Sequence, residues 1–160
     1  MRVKNIIWED TVNYRVPCLF IGTSVCSFKC GPNLCQNSAL ARAPTMTIEN
    51  DELIRRYQEN PLTEAIVFGG LEPLDQLPEI AGFCAALNQH EVTDDLVIYT
   101  GYEEKEVATE IDSLRDLNRM RNLVVKYGRF LPDRPGRRDD ILGVTLVSDN
   151  QYAVFYPRQL

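Results

Sequence analysis

The sequence predicts an α/β domain, an open, partial (β/α) barrel of mainly parallel strands. Three observations carry that reading. Short apolar runs at 17–23, 65–68, 96–99 and 122–126 alternate with amphipathic stretches of helical period. Strand–helix alternation of this kind builds a parallel sheet with right-handed crossovers. Roughly five strands are too few to close an eight-stranded barrel, so the sheet is expected to curve and stay open. The runs end in Cys-, Gly- or Thr-containing polar segments, which puts candidate ligand groups at one edge of the sheet.

The elements follow in order. Residues 2–8 mix Arg2 and Lys4 with Val3, Ile6, Ile7 and Trp8 and read as an opening edge strand. Pro17–Ser24 is a buried strand in which Cys18 is a small hydrophobe. Residues 36–47 read as loop. Thr47 or Asn50 caps a helix over about 49–59, with Leu53, Ile54 and Tyr57 inward and acids in its first turn. Ala65–Phe68 is a short strand running into Gly69-Gly70-Leu71-Glu72-Pro73. Pro78 sits in the first turn of the next helix, which reaches about Asn88 and carries Cys84 on its core stripe. Leu96–Tyr99 leads to Thr100-Gly101-Tyr102 and a helix over 103–116. Asn122–Lys126 is a strand, 132–140 a polar loop, and Leu142–Val147 the last strand pattern before a short apolar tail.

The whole chain, 1–160, is expected to be one domain with a core of its own. A net charge of −6, from 17 basic and 23 acidic residues, argues against direct nucleic-acid binding. No apolar run reaches the length of a membrane span. The first ten residues have no long apolar stretch or small-residue cleavage site, so no signal peptide is expected, and clustered thiols then suggest a reducing cytoplasm. No G-x-G-x-x-G or P-loop follows any strand, so an ordinary nucleotide site has no support. His90 is the single histidine and is expected to be exposed. The arginines 129, 134, 137 and 138 read first as a solvated loop and second as a surface for an acidic partner.

Three of the five cysteines fall at Cys26, Cys30 and Cys35, on the loop after the second strand. A disulfide would use two and leave one over. A structural zinc ion asks for four ligands, and no second Cys or His pair completes the set. Simple burial does not crowd three thiols beside Lys29, Gly31, Pro32 and Asn33. An iron–sulfur cluster with three protein thiolates would leave one iron open to a substrate.

The C-x3-C-x4-C loop resembles the radical S-adenosylmethionine (SAM) signature, whose usual spacing is C-x3-C-x2-C. The second gap is two residues longer, and Leu34 stands where that superfamily often has an aromatic. Gly70-Leu71-Glu72-Pro73 resembles its Gly-Gly-Glu-Pro turn, with Leu71 replacing the second glycine. Across nearly its whole length the chain resembles the small activating proteins of anaerobic (class III) ribonucleotide reductase. Further matches are Tyr99–Tyr102, Tyr127–Phe130 and Ser148–Tyr152, in the same order.

The resemblance implies a radical SAM-like minimal domain. Cys26, Cys30 and Cys35 would hold a 4Fe-4S cluster, and the amino and carboxylate groups of SAM would chelate its fourth iron. Gly70 and Glu72 would bind the amino end. Thr100 would contact SAM, Lys126 would meet its carboxylate, and Asn150 and Gln151 would bind it or shape the wall. An electron from a flavodoxin-like donor would split SAM to methionine and a 5′-deoxyadenosyl radical. That radical would take the α-hydrogen of a glycine in the large subunit of anaerobic ribonucleotide reductase. A radical SAM enzyme for a small molecule or peptide, and a non-catalytic metal module, are the alternatives.

Overall fold

The computed structural model describes residues 1–159. Its strands are β1 (Arg2–Asp10), β2 (Cys18–Thr23), β3 (Met46–Thr47), β4 (Ala65–Gly70), β5 (Asp95–Tyr99), β6 (Leu123–Tyr127), β7 (Arg137–Asp139), β8 (Val144–Leu146) and β9 (Tyr152–Tyr156). The helices are α1 (Ser38–Arg42), α2 (Asn50–Glu59), α3 (Leu77–Gln89) and α4 (Ala108–Leu117). Seven strands form one sheet in the order β3-β1-β2-β4-β5-β6-β9. The centre, β2-β4-β5-β6, is parallel, while β1, β3 and β9 join antiparallel at the two flanks. The result is a mixed α/β fold whose sheet stays open, with β3 and β9 as its edges.

Strand order in the parallel centre follows chain order. Each crossover therefore steps the same way, and right-handed steps in one direction leave their helices on one face. Leu53, Ile54 and Tyr57 of α2, Ile80, Phe83 and Leu87 of α3, and Ile111 and Leu114 of α4 all join one core. The strands meet them with Leu19, Ile21, Ile66, Phe68, Leu96, Ile98, Leu123 and Val125. Alternate residues, Cys18, Phe20, Ala65, Val67, Val97 and Val124, point to the other face and pack under Tyr14, Leu142 and Leu146. The helix-free face is thus covered by chain segments, and a cavity lies beneath them. Cys18 and Cys84 are wholly buried, as small core residues.

Several local expectations need correction. The segment 36–47 is not all loop: it carries the short helix α1 and β3, the latter paired to β1. Residue Glu49 precedes α2 without a side-chain cap, so neither Thr47 nor Asn50 caps it. The helix placed at 103–116 begins at Ala108; before it, Glu103 and Glu106 form a reciprocal capping box around a tight 3-10 turn. The polar loop 132–140 contains β7. The last strand pattern, 142–147, shrinks to β8, which pairs with β7 and not with the main sheet. The final sheet strand is instead β9, in what reads as an apolar tail. Its Tyr152, Val154 and Tyr156 pack on the helix-side core and Ala153 on the other, so its alternation is that of a two-sided strand. His90 ends α3 half-buried, with Nε2 3.2 Å from an Asp51 carboxylate oxygen.

Candidate functional site

The loops after β2, β4, β5 and β6 meet at one end of the parallel strands and enclose a cavity of about 570 Å3. That size suits a small organic ligand. Eight of the nine candidate residues line it: Cys26, Cys30, Cys35, Gly70, Glu72, Thr100, Lys126 and Gln151. Asn150 does not. Its side-chain amide donates to the Arg129 carbonyl at 2.8 Å and fastens the turn at Gly128, whose φ is +99°.

Glu72 is the electrostatic centre of the cavity. It follows Gly70, which has φ +85° and packs against the Gly22 backbone, so a side chain there would collide. Its carboxylate accepts from the Thr100 hydroxyl at 2.8 Å, the Gly101 N–H at 2.8 Å and the Leu74 N–H at 3.1 Å. The residue is 7% exposed, and burial pushes its pKa up to about 7 against the opposing pull of those donors. Lys126, also 7% exposed, donates to the Gly128 carbonyl at 2.9 Å. Burial draws its pKa down to about 8, and the Glu72 charge resists that fall. No carboxylate lies within ion-pair distance of Lys126 among the described residues. Gln151 donates to the same Gly128 carbonyl at 3.2 Å.

The cysteine loop closes the other wall. All three thiols are free and partly exposed. The longer gap between Cys30 and Cys35 is taken up by a 3-10 turn over Pro32–Leu34, entered through Gly31 at φ +89°. Asn37 then ties the loop to the Gly70 carbonyl at 2.6 Å. Burial pushes the Cys26 thiol up to about 11, with Glu72 and Asp75 adding to the rise, and burial also raises Cys30. Metal binding must therefore displace protons from these thiols.

Among the described residues, no three His, Cys, Asp or Glu side chains converge as ligands of a single metal ion. A zinc ion needs all its sulfurs at about 2.3 Å from one point. A four-iron cluster is held differently, each thiolate on its own iron, so its sulfurs stand apart around a larger body. Cys26, Cys30 and Cys35 line one cavity, which is what a cluster shared by three thiolates requires.

Sequence reasoning missed several wall residues. Phe20 and Tyr99 reach the cavity from the helix-free face of the sheet, and Tyr99 donates to the Asn13 carbonyl at 2.6 Å. The period-2 alternation with Ile98 carried that signal for Tyr99. Asn5, Asn13 and Asn37 also line the cavity, and nothing local in the sequence marks them. The arginine loop divides. Arg129 lines the cavity and pairs with Glu106 at 2.9 Å, whereas Arg134 pairs outside with Asp149 at 3.1 Å.

A family model described as a 4Fe-4S single cluster domain matches residues 14–145. Neither a curated protein nor a solved structure matches the chain.

Proposed function

This chain belongs to the family of 4Fe-4S single cluster domains, and from that premise we propose that it is a radical SAM activating enzyme for anaerobic ribonucleotide reductase. One observation carries the reading: a buried acid and a buried base, Glu72 and Lys126, line the same cavity as the three thiols. A buried acid and a buried base in one cavity suit the amino and carboxylate groups of an amino acid, and SAM carries both. The sequence resemblance supplies the rest of the assignment.

Cys26, Cys30 and Cys35 would hold the 4Fe-4S cluster. When bound, a cluster with one iron free of protein ligands would supply the electron that splits SAM to methionine and a 5′-deoxyadenosyl radical. Glu72 would accept a charge-assisted hydrogen bond from the amino group of SAM, beyond the three donors it already holds. Gly70 leaves its backbone bare for close approach. Lys126 meets the ligand carboxylate, and Gln151 holds the carbonyl beside it. Thr100 positions Glu72 through its hydroxyl, and Asn150 shapes the wall from behind. The helix-free sheet face and the β7–β8 hairpin keep water from the reacting centre. A glycine of the reductase large subunit would pass its α-hydrogen atom to the 5′-deoxyadenosyl radical, giving 5′-deoxyadenosine and a glycyl radical, with a flavodoxin-like protein as the electron donor.

The test is anaerobic reconstitution. The protein should take up about four irons per chain. With dithionite and SAM it should release 5′-deoxyadenosine, and with the reductase it should give a glycyl radical signal. Release of 5′-deoxyadenosine without a glycyl signal would move the assignment to a small-molecule substrate. A colourless protein that takes zinc and refuses iron would overturn it.

A further inference from the structure

The three cysteines are not held alike. Around Cys30 and Cys35 the backbone bonds are the loop's own: Gly31 N–H to Phe28 carbonyl, Leu34 N–H to Gly31 carbonyl, Ser38 N–H to Cys35 carbonyl. Cys26 is gripped from outside. Asp75 and Gln76, in the turn after Glu72, take hold of the residues on either side of it. The Gln76 side-chain amide oxygen accepts from the Ser24 N–H at 2.9 Å and from its hydroxyl at 3.1 Å. One Asp75 oxygen accepts from the Ser27 N–H at 2.6 Å. The other accepts from the Tyr102 hydroxyl at 2.6 Å, and Lys29 stacks its ammonium 4.5 Å from that ring. Between the two grips, the Glu72 N–H donates to the Val25 carbonyl at 3.0 Å.

We infer that Asp75 is a positioning residue for the cluster, clamping the Cys26 half of the loop in place before metal arrives and setting a negative charge beside it. The inference rests on the reading of Cys26, Cys30 and Cys35 as cluster ligands. Its physics is that of outer-shell partners: they fix a ligand's orientation and tune the metal without touching it. Cys26 starts in place, and the Cys30–Cys35 turn, whose hydrogen bonds among the described residues are its own and the Asn37 bond to Gly70, adjusts to the cluster. A carboxylate beside a cluster opposes the added electron, so it holds the reduction potential down.

The test compares wild type, Asp75→Ala and Asp75→Asn in three measurements. In metal-free protein, the Ser27 amide should exchange at least about tenfold faster in Asp75→Ala, since its acceptor is gone. In reconstituted protein, Asp75→Ala should lose iron to a chelator about tenfold faster or more. Asp75→Asn keeps the shape and removes the charge, and its cluster midpoint potential should move upward. Tyr102→Phe, which removes one donor to Asp75 and the 3.3 Å contact with the Ser27 hydroxyl but keeps the bond from the Ser27 N–H to Asp75, should fall between wild type and Asp75→Ala in iron retention. Unchanged Ser27 exchange, or wild-type iron retention and potential in both Asp75 variants, would overturn the inference while leaving the cluster reading intact. A wild-type protein that binds no cluster would overturn both. Far-UV circular dichroism of each variant separates loss of the clamp from loss of the fold.

Discussion

Glu72 concentrates the chemistry of the site at a single carboxylate. Buried, it holds its proton up to about pH 7, where an unfolded chain lost it near 4.5. The native state thus binds more protons than the unfolded state across that interval. Stability contributed by this group therefore falls as pH rises from about 4.5 to about 7. The gap is worth on the order of 3 kcal/mol. Glu72→Gln should flatten that slope in urea unfolding curves taken across the same interval. It should also weaken SAM binding by roughly tenfold or more, because a charge-assisted bond becomes a neutral one. On the proposed function, wild-type affinity for SAM should tighten as pH rises through about 7 and Glu72 ionises. The cysteines divide just as sharply. On the proposed function, Cys35→Ala should abolish release of 5′-deoxyadenosine from SAM by the reconstituted protein. Cys18→Ala removes only a buried sulfur and should leave the visible spectrum unchanged at a cost of about 1 kcal/mol.

At the scale of the element, the turn after β4 is the most constrained piece of the chain. Gly70 takes φ +85°, and a Cβ there would stand 3.0 Å from the Gly22 Cα and 3.0 Å from Leu40. Gly70→Ala should therefore cost roughly 2 kcal/mol or more, in both backbone strain and displaced neighbours. Thermal unfolding of the metal-free protein checks it: the midpoint should fall by several degrees. Loss of SAM binding should accompany the fall, because Glu72 lies two residues on. The 3-10 turn at Pro32–Leu34 behaves differently: its three residues are exposed and absorb the longer gap without disturbing the strand ends.

At the scale of the molecule, function follows from an uneven division of labour between the two sheet faces. All three crossover helices cover one face with side chains. The other is covered by the β7–β8 hairpin and the segment around Tyr14, which roof the cavity instead of filling it. One buried side chain fastens the hairpin to the sheet. Asp139, 5% exposed, accepts from the Leu142 N–H at 3.0 Å and from the Ala153 N–H of β9 at 3.0 Å. Asp139→Ala leaves both donors unpaired and should cost about 2–4 kcal/mol. It should also loosen the Val144–Leu146 wall, so SAM affinity drops even though no ligand-binding group has changed. Calorimetric binding and unfolding on the same variant would show both. Among the described residues, no helix is long and apolar enough to cross a membrane.

What the sequence determined by itself was whatever has a local signature. The parallel strands β2, β4, β5 and β6 announce themselves as short apolar runs, and α2 and α3 as amphipathic stretches, because burial on one or both faces imposes a period on neighbouring residues. The cysteine loop and the Gly70–Pro73 turn were legible by composition, as unusual residues at strand ends. Tertiary structure alone decided the rest. It assigned 144–146 to a hairpin and 152–156 to the sheet edge, brought Thr100 onto Glu72, and closed Asp75 over the Ser27 amide. Each of those contacts joins residues many positions apart, or selects among strands of similar pattern. Their energy lies in desolvation and hydrogen bonding that exist only once the sheet has formed, and no period along the chain encodes them.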